Sequence, residues 1–203
     1  FWRVRSHDAA TGWSPWRDFG EVYYESGAPR YERVEIDVTS LLVADPDSAQ
    51  FELGVIDRYS HDVVTAVQGA DMVFLAVPLG AMRQVFSELR NAVSTDALIT
   101  DGGSAKGSVV ADCTQVAPAL LARFVPGHPI AGTENNGVAA SFAELYHNRR
   151  VILTPLEANA VPSVARVRAM WEACGAEVTE MSVQHHDEVL AATSHLPHML
   201  AFA

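Results

Sequence analysis

The clearest pattern along the chain is a continuous apolar run, Asp71-Met-Val-Phe-Leu-Ala-Val77, ended by Pro78. A run without polar alternation suits a strand buried on both faces of a parallel sheet. Residues 81–89 follow with Met82, Val85, Phe86 and Leu89 at helical spacing. Residues 97–100 read as the next short strand, closed by Asp101-Gly-Gly-Ser104, and helical sequence then runs to about 121. Phe124-Val125 leads into a Pro/Gly-rich loop over 126–132. A strand is predicted over 150–153, and a helix over 161–174 with Val164, Val167, Met170 and Trp171 on one face. Gly175 stands as the stop of that helix. A last strand covers 176–181, and Ser182 caps a helix that Pro197 interrupts. Repeated β–α–β units predict an α/β fold with a mostly parallel sheet.

The first 50 residues have another texture. Residues 1–5, 19–24 and 34–42 look like strands, the last alternating as Val34, Ile36, Val38. Turn chemistry separates them at residues 8–12, at Ser14-Pro15 and at Asp45-Pro-Asp-Ser48. A boundary is placed near residue 50.

Composition narrows the class. With 203 residues, 49% hydrophobic and 19% charged, the chain can bury a core, and intrinsic disorder is excluded. A net charge of −11 argues against a nucleic-acid partner. The basic residues are Arg except for a single lysine, Lys106. Two cysteines, Cys113 and Cys174, make no disulfide framework and fit a reducing, cytoplasmic compartment. Neither a membrane span nor a signal peptide is read from the sequence. The chain begins with Phe1, its first methionine is Met72, and three of its four tryptophans (Trp2, Trp13, Trp16) fall within the first 16 residues. From these features a fragment is expected, with an N-terminal stretch of different origin from the rest.

In open α/β sheets, ligands bind beyond the carboxyl ends of the strands. Three polar clusters lie at such ends: Val77-Pro78-Leu79-Gly80, Asp101-Gly-Gly-Ser-Ala-Lys106, and the stretch from Gly127 to Gly137. Each alone has an ordinary explanation as turn residues. Together they bring a hydroxyl, an ammonium, a carboxylate and an imidazole to one rim. His128, between Gly127 and Pro129, is a candidate general base, weighed against a plain surface histidine. The C-terminal stretch carries His185, His186, His195 and His198 beside Asp187 and Glu188. It has no His-Glu-x-x-His signature, so no metal site is expected, and substrate-facing or capping histidines are favoured. Arg149-Arg150 is either a solvated strand start or a carboxylate clamp. The chain contains no Gly-x-Gly-x-x-Gly, no Gly-x-Ser-x-Gly and no Walker loop.

From about Glu52-Leu-Gly-Val-Ile-Asp57 onward the residues resemble the prephenate dehydrogenase family. The motifs that carry the resemblance are Ala70-Asp-Met-Val-Phe-Leu-Ala-Val-Pro78, Thr100-Asp-Gly-Gly-Ser-Ala-Lys-Gly107, Gly127-His-Pro-Ile-Ala-Gly-Thr-Glu134, Val151-Ile-Leu-Thr-Pro155 and His186-Asp-Glu-Val-Leu-Ala-Ala-Thr-Ser-His-Leu-Pro-His198. The resemblance implies an oxidoreductase that converts prephenate to 4-hydroxyphenylpyruvate, or arogenate to tyrosine, by oxidative decarboxylation with hydride transfer to NAD or NADP. It implies a partial Rossmann-like sheet followed by the start of a helical, dimer-forming domain. The divisions expected are 1–50, 51–181 and 182–203. By the same resemblance His128 accepts the substrate's hydroxyl proton, and Ser104 holds His128 or the substrate. Thr133, Ser194 and His198 line the substrate site, while Val77, Pro78, Leu79, Asp101, Gly102 and Gly103 lie against the cofactor.

The chain departs from that family in three places. Residues 1–50 stand where the family has its first strand, glycine-rich loop and ribose-binding acid. The helical domain stops at Ala203, inside its first helix. Asn135-Asn136 replace the Lys-Ser more usual after that glutamate. Little activity and weak NAD binding are therefore expected of this polypeptide. Residues 2–25 resemble the last strands of a fibronectin type III domain, an extracellular type, which a misassembled reading frame would explain. The alternative readings are another small hydroxy-acid dehydrogenase and a non-enzymatic binding module.

Overall fold

The computed structural model describes residues 2–8, 12–13, 33–38, 60, 62–132 and 142–197. In the N-terminal stretch, β1 (Trp2–Asp8) pairs antiparallel with β2 (Gly12–Trp13) and with β3 (Arg33–Val38). Residues 9–11 of the turn expected at 8–12 lie outside the described residues. The strand expected at 19–24 lies outside the described residues.

The α/β part begins with α1 (Val63–Val67), which the pattern analysis passed over. Asp62 caps it, accepting hydrogen bonds from the Thr65 N–H (2.8 Å) and hydroxyl (2.6 Å). The bonds from Thr65 hold this exposed carboxyl below the ordinary carboxylate range. Strand β4 (Met72–Leu75) is the buried core of the apolar run, parallel to β5 (Leu98–Asp101). Between them α2 (Met82–Leu89) buries Met82, Val85, Phe86 and Leu89, the four positions picked by spacing. After β5, α3 (Lys106–Val116) ends before Pro118, which opens a 3-10 turn over Pro118–Arg123. A helix unbroken to 121 was expected. Proline breaks it because its ring crowds the preceding turn and it has no N–H to donate.

The Pro/Gly-rich loop expected at 126–132 contains a strand. β6 (Gly127–Pro129) pairs antiparallel with β7 (Arg150–Leu153), setting His128 opposite Ile152. Helix α4 (Val161–Ala173) follows, and β8 (Glu177–Glu180) runs parallel to β7. Gly175, at φ +79°, reverses the chain between them, as glycine does after a helix. Its missing Cβ would stand 2.3 Å from His147 Cδ2, so the turn is closed to any side chain. A parallel bridge from Ile99 to Phe124 carries the sheet from β5 toward β6. The fold class is therefore the expected one, α/β with a mostly parallel sheet.

Strand alternation divides the core between the two faces of β4. Val73 and Leu75 enter an apolar cluster with α1, α2 and α3, centred on Phe86 and Phe124 in edge contact. Met72 and Phe74 enter a second cluster with β7 and α4, where Phe74 and Tyr146 both meet Trp171 edge-on. The last helix, α5 (Val183–Leu190), is capped by the Ser182 hydroxyl, which accepts from the His185 N–H. It passes into a wider π turn over Ala191–His195, just ahead of Pro197.

Candidate active site

Asp101 ends β5 and Lys106 begins α3, so a four-residue loop brings their side chains face to face. Both are completely buried and form an ion pair. The pair also grips the start of β6. Lys106 Nζ donates to the Gly127 carbonyl (2.6 Å), and Asp101 Oδ1 accepts from the Gly127 N–H (3.1 Å). Asp101 Oδ2 accepts from the Gly103 N–H as well (2.9 Å). Burial pushes the Asp101 carboxyl up and the Lys106 ammonium down, and the attraction between them opposes both shifts. Neither group reaches the rim as expected. The Asp101 carboxylate is enclosed, its oxygens receive three donors, and it braces the start of β6.

The rim is formed by what stands around this pair. Gly102 lies between Phe74 and Pro129: a Cβ there would be 3.0 Å from Phe74 Cζ and 3.7 Å from Pro129 Cδ. A Cβ on Gly103 would be 2.9 Å from Leu79 Cδ2. The ends of β4 and β5 thus meet through Leu79, Gly102 and Gly103. Val77 and Leu79 are half-buried, while Pro78 and Ser104 are exposed.

His128, half-buried on β6, is oriented from α5. Its Nδ1 lies 2.9 Å from Nε2 of His186, a ring with no exposed surface. His186 Nδ1 lies 2.8 Å from Asp187 Oδ1. Asp187 then caps α3 from 80 residues away: Oδ1 accepts from the Lys106 N–H (2.9 Å) and Oδ2 from the Gly107 N–H (2.8 Å). Burial works to raise the Asp187 carboxyl. The bonds from His186, Gly107 and Lys106 outweigh it and hold the group below the ordinary range. Ser104 is expected to hold His128 or the substrate; the partner at His128 Nδ1 is His186. Asp187, not a histidine, does the capping. No pairwise spacing exposes this, since the partners are distant in sequence. The one available signal was the crowding of His186 and Asp187 in the family-like C-terminal motif.

Ser194 is half-buried in the π turn. Thr133 and His198 lie outside the described residues. Arg149 and Arg150 are exposed, which favours the solvated strand start. Among the described residues, no group of three or more metal-binding side chains occurs, and no helix is long and apolar enough to cross a membrane.

The rim suits the redox end of a dinucleotide. Val77, Pro78 and Leu79 offer an apolar ledge, and Gly102 and Gly103 approach it without side chains. The neighbouring helix α2 has no side-chain cap at its N-terminus, whereas α3 already has Asp187 there. No Gly-x-Gly-x-x-Gly is present to hold a pyrophosphate.

The family model described as prephenate dehydrogenase, nucleotide-binding domain, matches residues 39–180. The cyclohexadienyl dehydrogenase of Zymomonas mobilis is 43% identical over 150 residues, covering 74% of this chain and 50% of its own. The prephenate dehydrogenase of Bacillus subtilis is 36% identical over 154 residues, covering 75% of this chain and 41% of its own. The structure of prephenate dehydrogenase from Aquifex aeolicus with hydroxyphenyl propionate and NAD+ superposes with a TM-score of 0.71 at 39% identity. That match covers 76% of this chain and 54% of the other. The chain spans about half the length of these relatives, or less. By its motifs, its fold and these matches, the chain belongs to the prephenate dehydrogenase family, in the part that forms the nucleotide-binding domain.

Proposed function

We propose that this chain carries the proton-accepting side of a dehydrogenase site for prephenate or arogenate. The reaction is oxidative decarboxylation to 4-hydroxyphenylpyruvate or tyrosine, with hydride transfer to NAD or NADP. One observation carries the reading: an imidazole, His128, is held by His186 on β6, next in the chain to Pro129, whose ring stands over Gly102. His128 accepts the proton of the ring hydroxyl as the carbon that bears it is oxidised. Loss of the substrate carboxylate as CO2 then restores an aromatic ring, which drives the step. The nicotinamide supplies the hydride acceptor when bound. Val77, Pro78, Leu79, Gly102 and Gly103 would hold its redox end. Ser104, exposed at the same rim, orients the substrate hydroxyl. Thr133, Ser194 and His198 belong to the substrate side in this reading, supported by the likeness of their motifs to the family's. A homodimer is the assembly proposed by the same likeness, and two free thiols fit a cytoplasmic setting.

Replacement by Asn of the histidine that matches His128, in an active full-length relative, tests the role of the base. Turnover should fall by about 10²–10⁴, and an unchanged rate removes histidine from this role. Calorimetric titration of the 203-residue polypeptide with NAD+ tests the cofactor side. Binding weaker than micromolar is expected. Micromolar affinity, about −8 kcal/mol, would show that the rim suffices without a glycine-rich loop.

A further inference from the structure

We infer that Asp187 and His186 are positioning residues that set the tautomer of His128, placing its proton on Nδ1 and its lone pair on Nε2. The chain of acceptors runs in one direction. An ionised carboxylate only accepts hydrogen bonds, and Asp187 already receives the Lys106 and Gly107 N–H groups. The His186 nitrogen beside it, Nδ1 at 2.8 Å, must therefore carry a hydrogen. A neutral His186 then has its lone pair on Nε2. The atom 2.9 Å from that lone pair is His128 Nδ1, which must donate. The lone pair of His128 is thereby assigned to Nε2, the nitrogen on the far side of the ring from His186. Free histidine prefers the opposite tautomer, with hydrogen on Nε2, in which Nε2 has no lone pair to accept a proton. A carboxylate thus reaches the proton-accepting nitrogen through a second imidazole, one link longer than an Asp–His pair.

The catalytic value of this arrangement rests on His128 being the base. The tautomer itself belongs to the chain without substrate or cofactor, so it is tested separately. Long-range nitrogen–proton correlation NMR of the isotope-labelled chain reads the two ring nitrogens of each histidine, with His128 and His186 assigned from His128→Gln and His186→Gln. Both rings should be neutral with hydrogen on Nδ1. His186→Gln retains an acceptor oxygen and should leave His128 in that form. His186→Leu removes the acceptor and should shift His128 mainly to the Nε2–H form. A wild-type His128 with hydrogen on Nε2, or a His186 protonated on both nitrogens, overturns the inference. So does a folded His186→Leu chain in which the His128 tautomer is unchanged. If His186→Leu does not fold, the wild-type and His186→Gln spectra decide alone. An adverse result would leave the role of His128 as base standing, because the Asn replacement tests that independently.

Discussion

Two polar clusters meet at adjacent residues of β6, and they are built in opposite ways. The Asp101–Lys106 pair is wholly enclosed and holds Gly127 by both its N–H and its carbonyl. The His128–His186–Asp187 chain is dry only at its middle ring: His128 is half-buried and the Asp187 side chain is 37% exposed. A dry ion pair sets strong attraction against heavy desolvation, so its net contribution is small and its value lies in the backbone it locks. A chain open at both ends keeps contact with water while its hydrogen bonds fix the positions of its groups. One cluster therefore builds the strand, and the other equips it.

The largest expected effect comes from breaking the dry cluster. Lys106→Met leaves the Asp101 charge buried without a partner and should cost about 3–5 kcal/mol, read by urea unfolding. Adding Asp101→Leu should recover much of that loss; if it recovers none, the pair is not an isolated electrostatic brace. Gly107→Ala comes next and sharpens the contrast. Helix propensity alone favours alanine by about 1 kcal/mol. The new Cβ, however, would stand 2.7 Å from Asp187 Oδ2, so a net loss of about 1–3 kcal/mol is expected. A stabilised variant would mean that Asp187 does not sit over the helix end.

Asp187→Asn should be milder, about 1 kcal/mol, as for loss of a helix cap. Its pH dependence is the sharper reading. The Asp187 carboxyl is held below its ordinary range, so its contribution is full above about pH 4 and is lost as pH falls through the lowered value. Parent and variant should differ near neutrality and converge in acid; curves that stay parallel would contradict this. The smallest effect belongs to a pair outside both clusters. Arg83, 59% exposed, meets Asp112 at 2.7 Å on the surface. Asp112→Asn should change stability by less than about 1 kcal/mol, and a larger loss would show that burial is not what separates the two clusters from it.

The sequence made local, periodic features legible. Met82, Val85, Phe86 and Leu89 were picked by spacing and are all buried. The strand at Arg150–Leu153 and the stop at Gly175 were equally readable, because each depends on neighbours in the chain. β6 was hidden by its composition: Gly127 and Pro129 read as loop, and only pairing with β7 makes them a strand. The supports of the site were hidden by distance. Lys106 was expected at the rim, but a neighbouring carboxylate draws it inward. Asp187 caps a helix that starts 81 residues earlier, and no local window contains both ends of that bond.

The same bond ties the fate of one ring to the movement of a distant helix. Residues 183–190 reach β6 through His186 and α3 through Asp187. A displacement of α5 along its axis is thus transmitted to the His128 imidazole over a single hydrogen bond. Whatever presses on or pulls at α5 has a short lever on the proton-accepting ring, one hydrogen bond long.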